Sequence, residues 1–132
     1  MMKPALIAEK LKGTLGELLG IDLVEASPER VVAQLIIRDE LRTTGGSLHG
    51  GTLTAFADTI GAVATVLNLP SATGTATLES KTNFFAAGRS GRVRAETTPL
   101  HRGKRTMVWQ TRVTDEAGRL LSLTIQTQMV LA

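Results

Sequence analysis

The segment "SLHGGTLTAFADTIGAVATVLN", residues 47–68, contains the longest apolar run of the chain and a single acid, Asp58. At 100° per residue, its large apolar side chains fall on one stripe, which predicts the core side of a helix over 52–68 that ends before Pro70. The stripe consists of Leu53, Phe56, Ile60, Val63 and Leu67. This helix decides the fold, because the rest of the chain has to cover the stripe.

Asp58 lies on the opposite face of the predicted helix, among small side chains. These neighbours are Gly51, Thr54, Ala55, Gly61, Ala62 and Thr65. A lone carboxylate in a packed core is costly unless a partner compensates it. Two interpretations stay open: Asp58 hydrogen-bonds a neighbouring backbone and fixes packing, or it is a general base or nucleophile at the floor of a cleft.

The motif His49-Gly50-Gly51 directly precedes this helix. First-turn N–H groups lack intrahelical partners and suit a developing oxyanion, although glycines there can also simply form the turn. Gly50 and Asp58 are eight residues apart, so roughly 12 Å separates them along one helix. If both act in one reaction, Gly50 of one chain has to face Asp58 of a second chain, which predicts a two-fold dimer.

The remaining sequence predicts one amphipathic helix and six strands. The helix covers 5–19 and ends at Gly20. Turn residues separate the strands, which cover 21–26, 30–38, 74–85, 91–100, 105–114 and 119–131. The sequence therefore predicts one α+β domain over 1–132, with a curved antiparallel sheet wrapped around the long central helix.

Composition excludes several classes of function. The chain has no cysteine, which excludes disulfides, thiol catalysis and thiolate metal sites, and its two histidines give no metal-ligand spacing. A net charge of +3 with one Trp, three Phe and no Tyr is a poor match to a nucleic-acid binder. The run 53–67 is too short to span a bilayer, and the first residues lack a secretory signal. We therefore expect a cytoplasmic protein without nucleic-acid or membrane partners.

Three motifs carry a resemblance to a known family: "GGSLHGGTLTAFADT" at 45–59, "ATLESKTNFFAAG" at 76–88 and "LHRGKRT" at 100–106. Over about residues 20–130 the chain resembles the hotdog-fold acyl-CoA thioesterases, specifically the phenylacetic acid degradation subgroup. The resemblance implies a homodimer, often paired into a tetramer, that hydrolyses acyl-CoA thioesters without a metal or a separate cofactor.

The resemblance also implies roles for individual residues. Asp58 would activate water or attack the thioester carbonyl directly, and the Gly50 amide of the partner chain would polarise that carbonyl. His49 would shape the turn, and Thr77 would help to place the water. Substrate contacts are predicted at Thr43, Gly51 and Asn83, with Thr43 standing where many relatives have Asn.

Basic side chains are candidates for the coenzyme A phosphates, which favour charge-assisted contacts. The candidates are Arg89, Arg102, Lys104 and Arg105. Relatives commonly read FLRPA where this chain has Phe84-Phe85-Ala86-Ala87-Gly88, so a phosphate contact from that turn has to come from Arg89 or elsewhere. We favour the turn 102–105 over the other candidates. Each of these residues can also be an ordinary solvated strand end.

Two alternatives to a thioesterase stay open. A hotdog-fold enoyl-CoA hydratase or dehydratase also uses an acid and a histidine near the central helix. A non-catalytic acyl-CoA-binding module would use the same cleft. The acid nine residues after the histidine of the HGG motif fits the thioesterases better than the hydratases.

Overall fold

One six-stranded antiparallel sheet lies against a single long helix, which contacts five of its strands. The structure is a computed structural model that describes residues 3–70 and 73–131. The sheet order is β1-β2-β4-β5-β6-β3, so β1 and β3 form its edges. The helices are α1 (Pro4–Lys10), α2 (Leu15–Leu19) and α3 (Gly50–Val66). The strands are β1 (Asp22–Ser27), β2 (Arg30–Ile36), β3 (Thr75–Phe84), β4 (Arg92–Arg102), β5 (Thr106–Thr114) and β6 (Leu120–Val130).

The apolar stripe of α3 is buried as predicted, with every member at most 5% exposed. It packs against the concave face of the sheet, where Trp109 of β5 is fully buried. The Trp109 Nε1–H donates to Thr65 Oγ1 at 2.8 Å, so its one polar group is satisfied inside the core. Trp109 is therefore a packing residue rather than a wall of a ligand pocket.

The predicted small-residue face of α3 is only partly correct. Gly61 and Thr65 are fully enclosed, because Gln126 of β6 covers Gly61 and Trp109 of β5 contacts Thr65. The sheet thus buries more of the surface of α3 than the apolar stripe alone. The open face is correspondingly narrower and consists of half-buried residues, including Thr54, Ala55, Asp58, Thr59 and Ala62.

The predicted helix over 5–19 is wrong, since the structure has two short helices there. Gly13, at φ +75°, adopts a left-handed conformation between α1 and α2, which an α-helix does not continue through. Leu15 and Leu18 are 54% and 67% exposed rather than part of a buried stripe. The predicted stop at Gly20 is confirmed, because Gly20 caps α2 at φ +79°.

Strand β6 turns its polar side chains, not its apolar ones, toward α3 along its second half. Gln126 and Gln128 are at most 1% exposed, whereas Ile125 and Met129 lie on the outer face at 37% and 43%. Two amide groups thus enter the core beside the helix, where an apolar row would be the ordinary choice. Among residues 3–70 and 73–131, no helix is long and apolar enough to cross a membrane.

Strand β3 is an edge strand that pairs only with β6. Eight of its ten residues are exposed. Leu78 and Phe84, both on this strand, are 58% and 53% exposed. A long edge strand with exposed apolar side chains is a template for pairing with another chain.

Candidate functional site

His49 caps the N-terminus of α3 with its own imidazole. His49 adopts an extended backbone, at φ −63° and ψ 137°, and its Nδ1 accepts the Gly51 N–H at 2.7 Å. An accepting Nδ1 leaves the proton of the neutral ring on Nε2. A methyl group at position 51 would lie 2.8 Å from Nδ1, so this cap requires glycine there. The Gly51 N–H is therefore already bonded to the imidazole and is not free to bind a ligand. The role of Gly51 is to leave room for the ring.

The backbone N–H of Gly50 is free to donate, unlike that of Gly51. As the first residue of α3, Gly50 has a backbone N–H without an intrahelical acceptor, at the positive end of the helix dipole. The ring of Phe84, from β3 of the same chain, lies 3.3 Å from where a Cβ at position 50 would stand. This N–H is the candidate oxyanion donor.

Asp58 is half-buried on the open face of α3 and is held at one oxygen. Thr77 Oγ1 donates to Asp58 Oδ1 at 2.6 Å, and Gln128 Nε2 donates to Thr77 Oγ1 at 2.7 Å. Gln126 Nε2 lies 3.4 Å from both Oδ1 and the backbone O of Asp58. Asp58 Oδ2 accepts no hydrogen bond from any described residue, so it is the oxygen available for chemistry.

A cleft of about 550 Å³ opens beside Asp58, between α1, α3 and the residues just before β3. Within the described residues, Asp58 is the only acid of its lining and Lys10 the only base. The rest of the lining is mainly aliphatic, with Ile7, Leu11, Ala62, Val63 and Val66. Among the described residues, the cleft therefore presents a single carboxylate to a mainly aliphatic space that Lys10 and three threonines also line.

The structure does not bring Gly50 and Asp58 together within one chain. They sit on the same straight helix, roughly 12 Å apart along its axis. Thr77 is the predicted site residue that does reach Asp58, and its hydroxyl hydrogen is committed to the carboxylate. Thr77 thus orients Asp58, and its help in placing the water, which the resemblance implies, stays a prediction.

The predicted phosphate contacts lie at opposite ends of the sheet. Arg89 precedes β4 and follows Gly88, whose carbonyl accepts the Leu48 N–H beside the start of α3. The turn 102–105 follows the other end of β4, and the ten-residue spacing from Arg92 to Arg102 corresponds to roughly 33 Å. One chain therefore cannot place both groups on one coenzyme A phosphate.

The turn 102–105 lies on the Asp58 side of the sheet. Thr77 pairs with Gln128, Gln128 with Met107 and Met107 with Arg102, which forms one row across four strands. Arg102 is partly committed, since its Nη1 contacts Pro28 O at 3.3 Å and Asn68 Oδ1 at 3.2 Å. Lys104 and Arg105 are exposed and make no ion pair with the described residues.

The other two predicted contact residues are exposed and lie away from Asp58. Thr43 belongs to the loop before α3, where its N–H donates to Ser47 O at 2.8 Å and its side chain is exposed. Asn83 is exposed on β3, paired with Leu123. Nothing in residues 3–70 and 73–131 groups three His, Asp or Glu side chains in a metal-binding cluster.

Gln126, Gln128 and the clearance at Gly61 are the parts of the site that sequence analysis missed. Two signals were present: a glycine inside a helical pattern, which usually has a packing reason, and glutamines two residues apart on one strand face. Neither signal shows which face of β6 is buried. That information comes only from the tertiary structure.

Comparisons with known proteins agree with this architecture. Residues 45–122 match the sequence profile of the Thioesterase superfamily. The chain is 33% identical to a 1,4-dihydroxy-2-naphthoyl-CoA hydrolase of Escherichia coli, over 83% of this chain and 80% of that protein. It is 31% identical to the proofreading thioesterase EntH of Cronobacter turicensis, over 81% and 78%. A crystal structure of a Haemophilus influenzae thioesterase superposes with a TM-score of 0.93 at 26% identity, covering 99% of this chain and 92% of that one. The chain therefore belongs to the thioesterase superfamily, and the predicted hotdog fold and thioester hydrolase class are both confirmed.

Proposed function

We propose that the protein hydrolyses acyl-CoA thioesters, with Asp58 as the general base or nucleophile. One observation carries the proposal: among the described residues, Asp58 is the single acid of a mainly aliphatic cleft, with Oδ1 held by Thr77 and no hydrogen bond to Oδ2. A carboxylate that is oriented through one oxygen and open at the other is prepared to take a proton or to attack. A packing role for Asp58 would need no open cleft beside this residue.

The chemistry balances without a further reactant. As a base, Asp58 Oδ2 takes a proton from water, and the resulting hydroxide attacks the thioester carbonyl carbon. The carbonyl oxygen becomes an oxyanion, the C–S bond then breaks, and the sulfur leaves as the thiolate and takes up a proton. In the nucleophilic version, Oδ2 attacks the carbonyl carbon itself, and water hydrolyses the mixed anhydride. A single turnover in ¹⁸O-labelled water identifies the anhydride route when water attacks the carboxyl carbon of Asp58, because the label then appears in Asp58, whereas attack at the acyl carbon, like the general-base route, places it in the product acid alone.

The oxyanion donor comes from a second copy of the chain in this proposal. Gly50 N–H and Asp58 cannot meet within one helix, but two antiparallel α3 helices bring each Gly50 to the partner's Asp58. The exposed edge of β3 supports this arrangement, because two copies can pair there and continue the sheet. We propose a homodimer with two shared sites, two of which pair into a tetramer.

The same symmetry joins the basic residues into one phosphate site. Arg89 lies at the Gly50 end of the chain, and the turn 102–105 lies on the Asp58 side. When the Gly50 of one chain faces the Asp58 of another, these two groups approach the same coenzyme A from different chains. None of the four candidates makes an ion pair with a described residue, and Arg102 alone among them spends its side chain on hydrogen bonds within the described chain, which leaves Arg89, Lys104 and Arg105 uncommitted.

The cleft favours an aliphatic acyl group. Its apolar lining consists of aliphatic side chains, without a described aromatic that could stack on a ring. From Asp58 to Val66 the helix extends roughly 12 Å, which is room for an extended chain of several carbons. The relatives' names specify a naphthoyl thioester in one case and proofreading in another. We keep the phenylacetic acid degradation subgroup as a proposal about ancestry, based on the HGG motif and the acid nine residues after its histidine.

Release of free thiol from a panel of acyl-CoAs tests the function. Wild type is expected to release thiol, and Asp58→Asn is expected to lower kcat by about 10³-fold while the protein stays folded. Asp22→Asn, an exposed acid on β1, is the matched control and retains full activity.

Two results would contradict the proposal. Loss of the conjugated enoyl absorbance without thiol release would indicate a hydratase. Binding of acyl-CoA without turnover over the whole panel would indicate a binding module.

A further inference from the structure

Two buried amides of β6 converge on Asp58 from the sheet. Gln128 is fully buried; its Nε2 donates to Thr77 Oγ1 at 2.7 Å and its Oε1 accepts from Thr75 Oγ1 at 2.9 Å. Thr77 in turn donates to Asp58 Oδ1 at 2.6 Å. The bonds from Gln128 to Thr77 and from Thr77 to Asp58 run in one direction, since each donor hydrogen points toward the carboxylate. The hydroxyl of Thr77 is therefore oriented by Gln128 at the same time as it orients Asp58.

Gln126 reaches Asp58 only because position 61 is glycine. Its side-chain amide lies directly over Gly61, where a Cβ would stand 2.2 Å from Nε2 and 2.5 Å from Oε1. From there Nε2 lies 3.4 Å from two oxygens of Asp58, Oδ1 and the backbone O. With the amide turned over, Oε1 would face those same two oxygens, so the donor orientation is the favourable one.

This arrangement costs stability that an apolar row would not cost. Gln126 Oε1 is buried without a hydrogen-bond partner among the described residues, and such a group carries a desolvation penalty. A helix interior glycine adds a further cost relative to alanine. Packing alone would favour a leucine on β6 facing an alanine on α3. Both costs fall at Gln126 and Gly61, the two positions that bring the Gln126 amide to Asp58.

We propose that Gln126 and Gln128 are positioning residues, which hold Asp58 through Oδ1 so that Oδ2 is presented to the substrate. Gly61 belongs to the same arrangement, because the absence of a side chain there leaves room for the Gln126 amide to cross the helix and reach Asp58. The inference rests on the proposed role of Asp58 and extends it to two buried residues that support the carboxylate from the sheet.

The first test replaces Gln128 by methionine, which has a similar shape and no donor. Gln128→Met is expected to lower kcat by about 10- to 100-fold and to leave KM within about twofold, because the carboxylate is misaligned while binding is intact. Thr124→Val is the matched control: it removes a buried inter-strand hydroxyl bond on the same face of β6, to Thr82 Oγ1 at 2.8 Å, and keeps wild-type kcat. A wild-type kcat in folded Gln128→Met overturns the proposal.

The second test uses the contact between Gly61 and Gln126. Gly61→Ala is expected to lower kcat by about tenfold, since the new methyl group displaces the amide of Gln126. In the Gln126→Ala background the same substitution has nothing to displace and fills space, so kcat does not fall further and the protein becomes more stable. The effects of the two substitutions on kcat should therefore be non-additive, as expected for two residues in direct contact. Additive losses in kcat would overturn the coupling.

A third readout is independent of activity. The side-chain amide resonances of Gln126 and Gln128 in ¹⁵N-labelled protein are expected to shift in Asp58→Ala, because the acceptor at the end of both paths is removed. Unshifted amides overturn the proposal even if the enzyme is active. If wild type releases no thiol from any acyl-CoA, the proposed function fails, while shifted amides still support the hydrogen-bonded device around Asp58.

Discussion

The two halves of the concave face of the sheet contact helix α3 in different ways. The half formed by β2, β4 and β5 is mainly apolar, with buried side chains that include Leu35, Val93, Ala95, Trp109 and Val113. The half formed by β6 and β3 is polar along its contact with Asp58, with Gln126, Gln128 and Thr77. The same helix thus makes hydrophobic contacts with one half of the sheet and hydrogen bonds with the other.

The apolar contacts of α3 mainly serve stability, whereas its hydrogen bonds mainly serve the proposed function. Apolar burial is non-directional, so it fixes where the helix lies and supplies the free energy of folding. Hydrogen bonds are directional and fix the orientation of one carboxylate, at some cost in stability. Variants on the two sides should therefore fail in different assays.

The largest expected effect is on the apolar half. Ile60→Ala removes a fully buried side chain and is expected to cost about 2–5 kcal/mol of unfolding free energy, because the cavity closes only in part. Urea denaturation measures this loss. The kcat of the folded fraction stays within about twofold of wild type, since Ile60 faces away from Asp58. A selective loss of kcat at wild-type stability would contradict the division between the two halves.

The opposite result is expected at Thr77. Thr77→Val removes the donor to Asp58 Oδ1 and the acceptor for Gln128, so kcat should fall by about 100-fold. The free energy of unfolding should fall by about 1–3 kcal/mol, less than at Ile60, because the buried Gln128 Nε2 loses its acceptor, so kcat is compared in the folded protein. Thr77→Ser keeps the hydroxyl and should restore most of the activity. Equal kcat in the valine and serine variants would show that the hydroxyl does not orient the carboxylate.

A smaller effect, on acyl-chain selectivity, is expected in the part of the cleft next to Asp58. Ala62 lies one helical turn beyond Asp58 and lines the cleft, so Ala62→Leu narrows the space for the acyl chain. The ratio of kcat/KM between a long and a short aliphatic acyl-CoA is expected to fall by about tenfold. An unchanged ratio, measured across a chain-length series, would place the acyl group elsewhere.

The smallest effect concerns a turn far from both halves. The backbone N–H of Arg119 hydrogen-bonds Asp115 and lowers the pKa of that carboxyl, and the Ala117 N–H acts in the same direction. Because the folded pKa is depressed, this stabilisation is present above the unfolded pKa and is lost as pH falls through the folded one. Asp115→Ala should slightly lower the melting temperature at pH 7 and make no difference at strongly acidic pH. A decrease of the same size at acidic pH would exclude the carboxylate as its source.

Most of the fold could be predicted from the sequence, because the core stripe of α3 and the strand turns follow simple periodicities. Every predicted strand is present, and the helix bounds differ by two residues at each end. The N-terminal helix was wrong because its apolar period continues through Gly13, whose left-handed conformation interrupts the chain. At the site, the helix pattern and the glycine motif indicate Asp58 and Gly50, and the family resemblance indicates Thr77.

The supporting amides could not be predicted, for a physical reason. Alternation along β6 separates two faces but does not tell which one is buried, and the apolar face is the ordinary choice. In the structure the apolar row of Ile125 and Met129 lies outside and Gln126 and Gln128 lie inside. Only the packing of β6 against Gly61 and Asp58 reverses the expectation.

The central claim is that Asp58 of one chain works with the Gly50 N–H of another, and mixed dimers test it most directly. Asp58→Asn removes the carboxylate, and Gly50→Pro removes the N–H at a first helical position where proline is tolerated, after an extended His49. Each variant alone should be inactive. Co-expressed with different tags and purified as the mixed dimer, they should regain thiol release, because one of the two sites then combines an intact Asp58 with an intact Gly50. An inactive but folded mixed dimer, or an active Gly50→Pro dimer, would contradict the shared site.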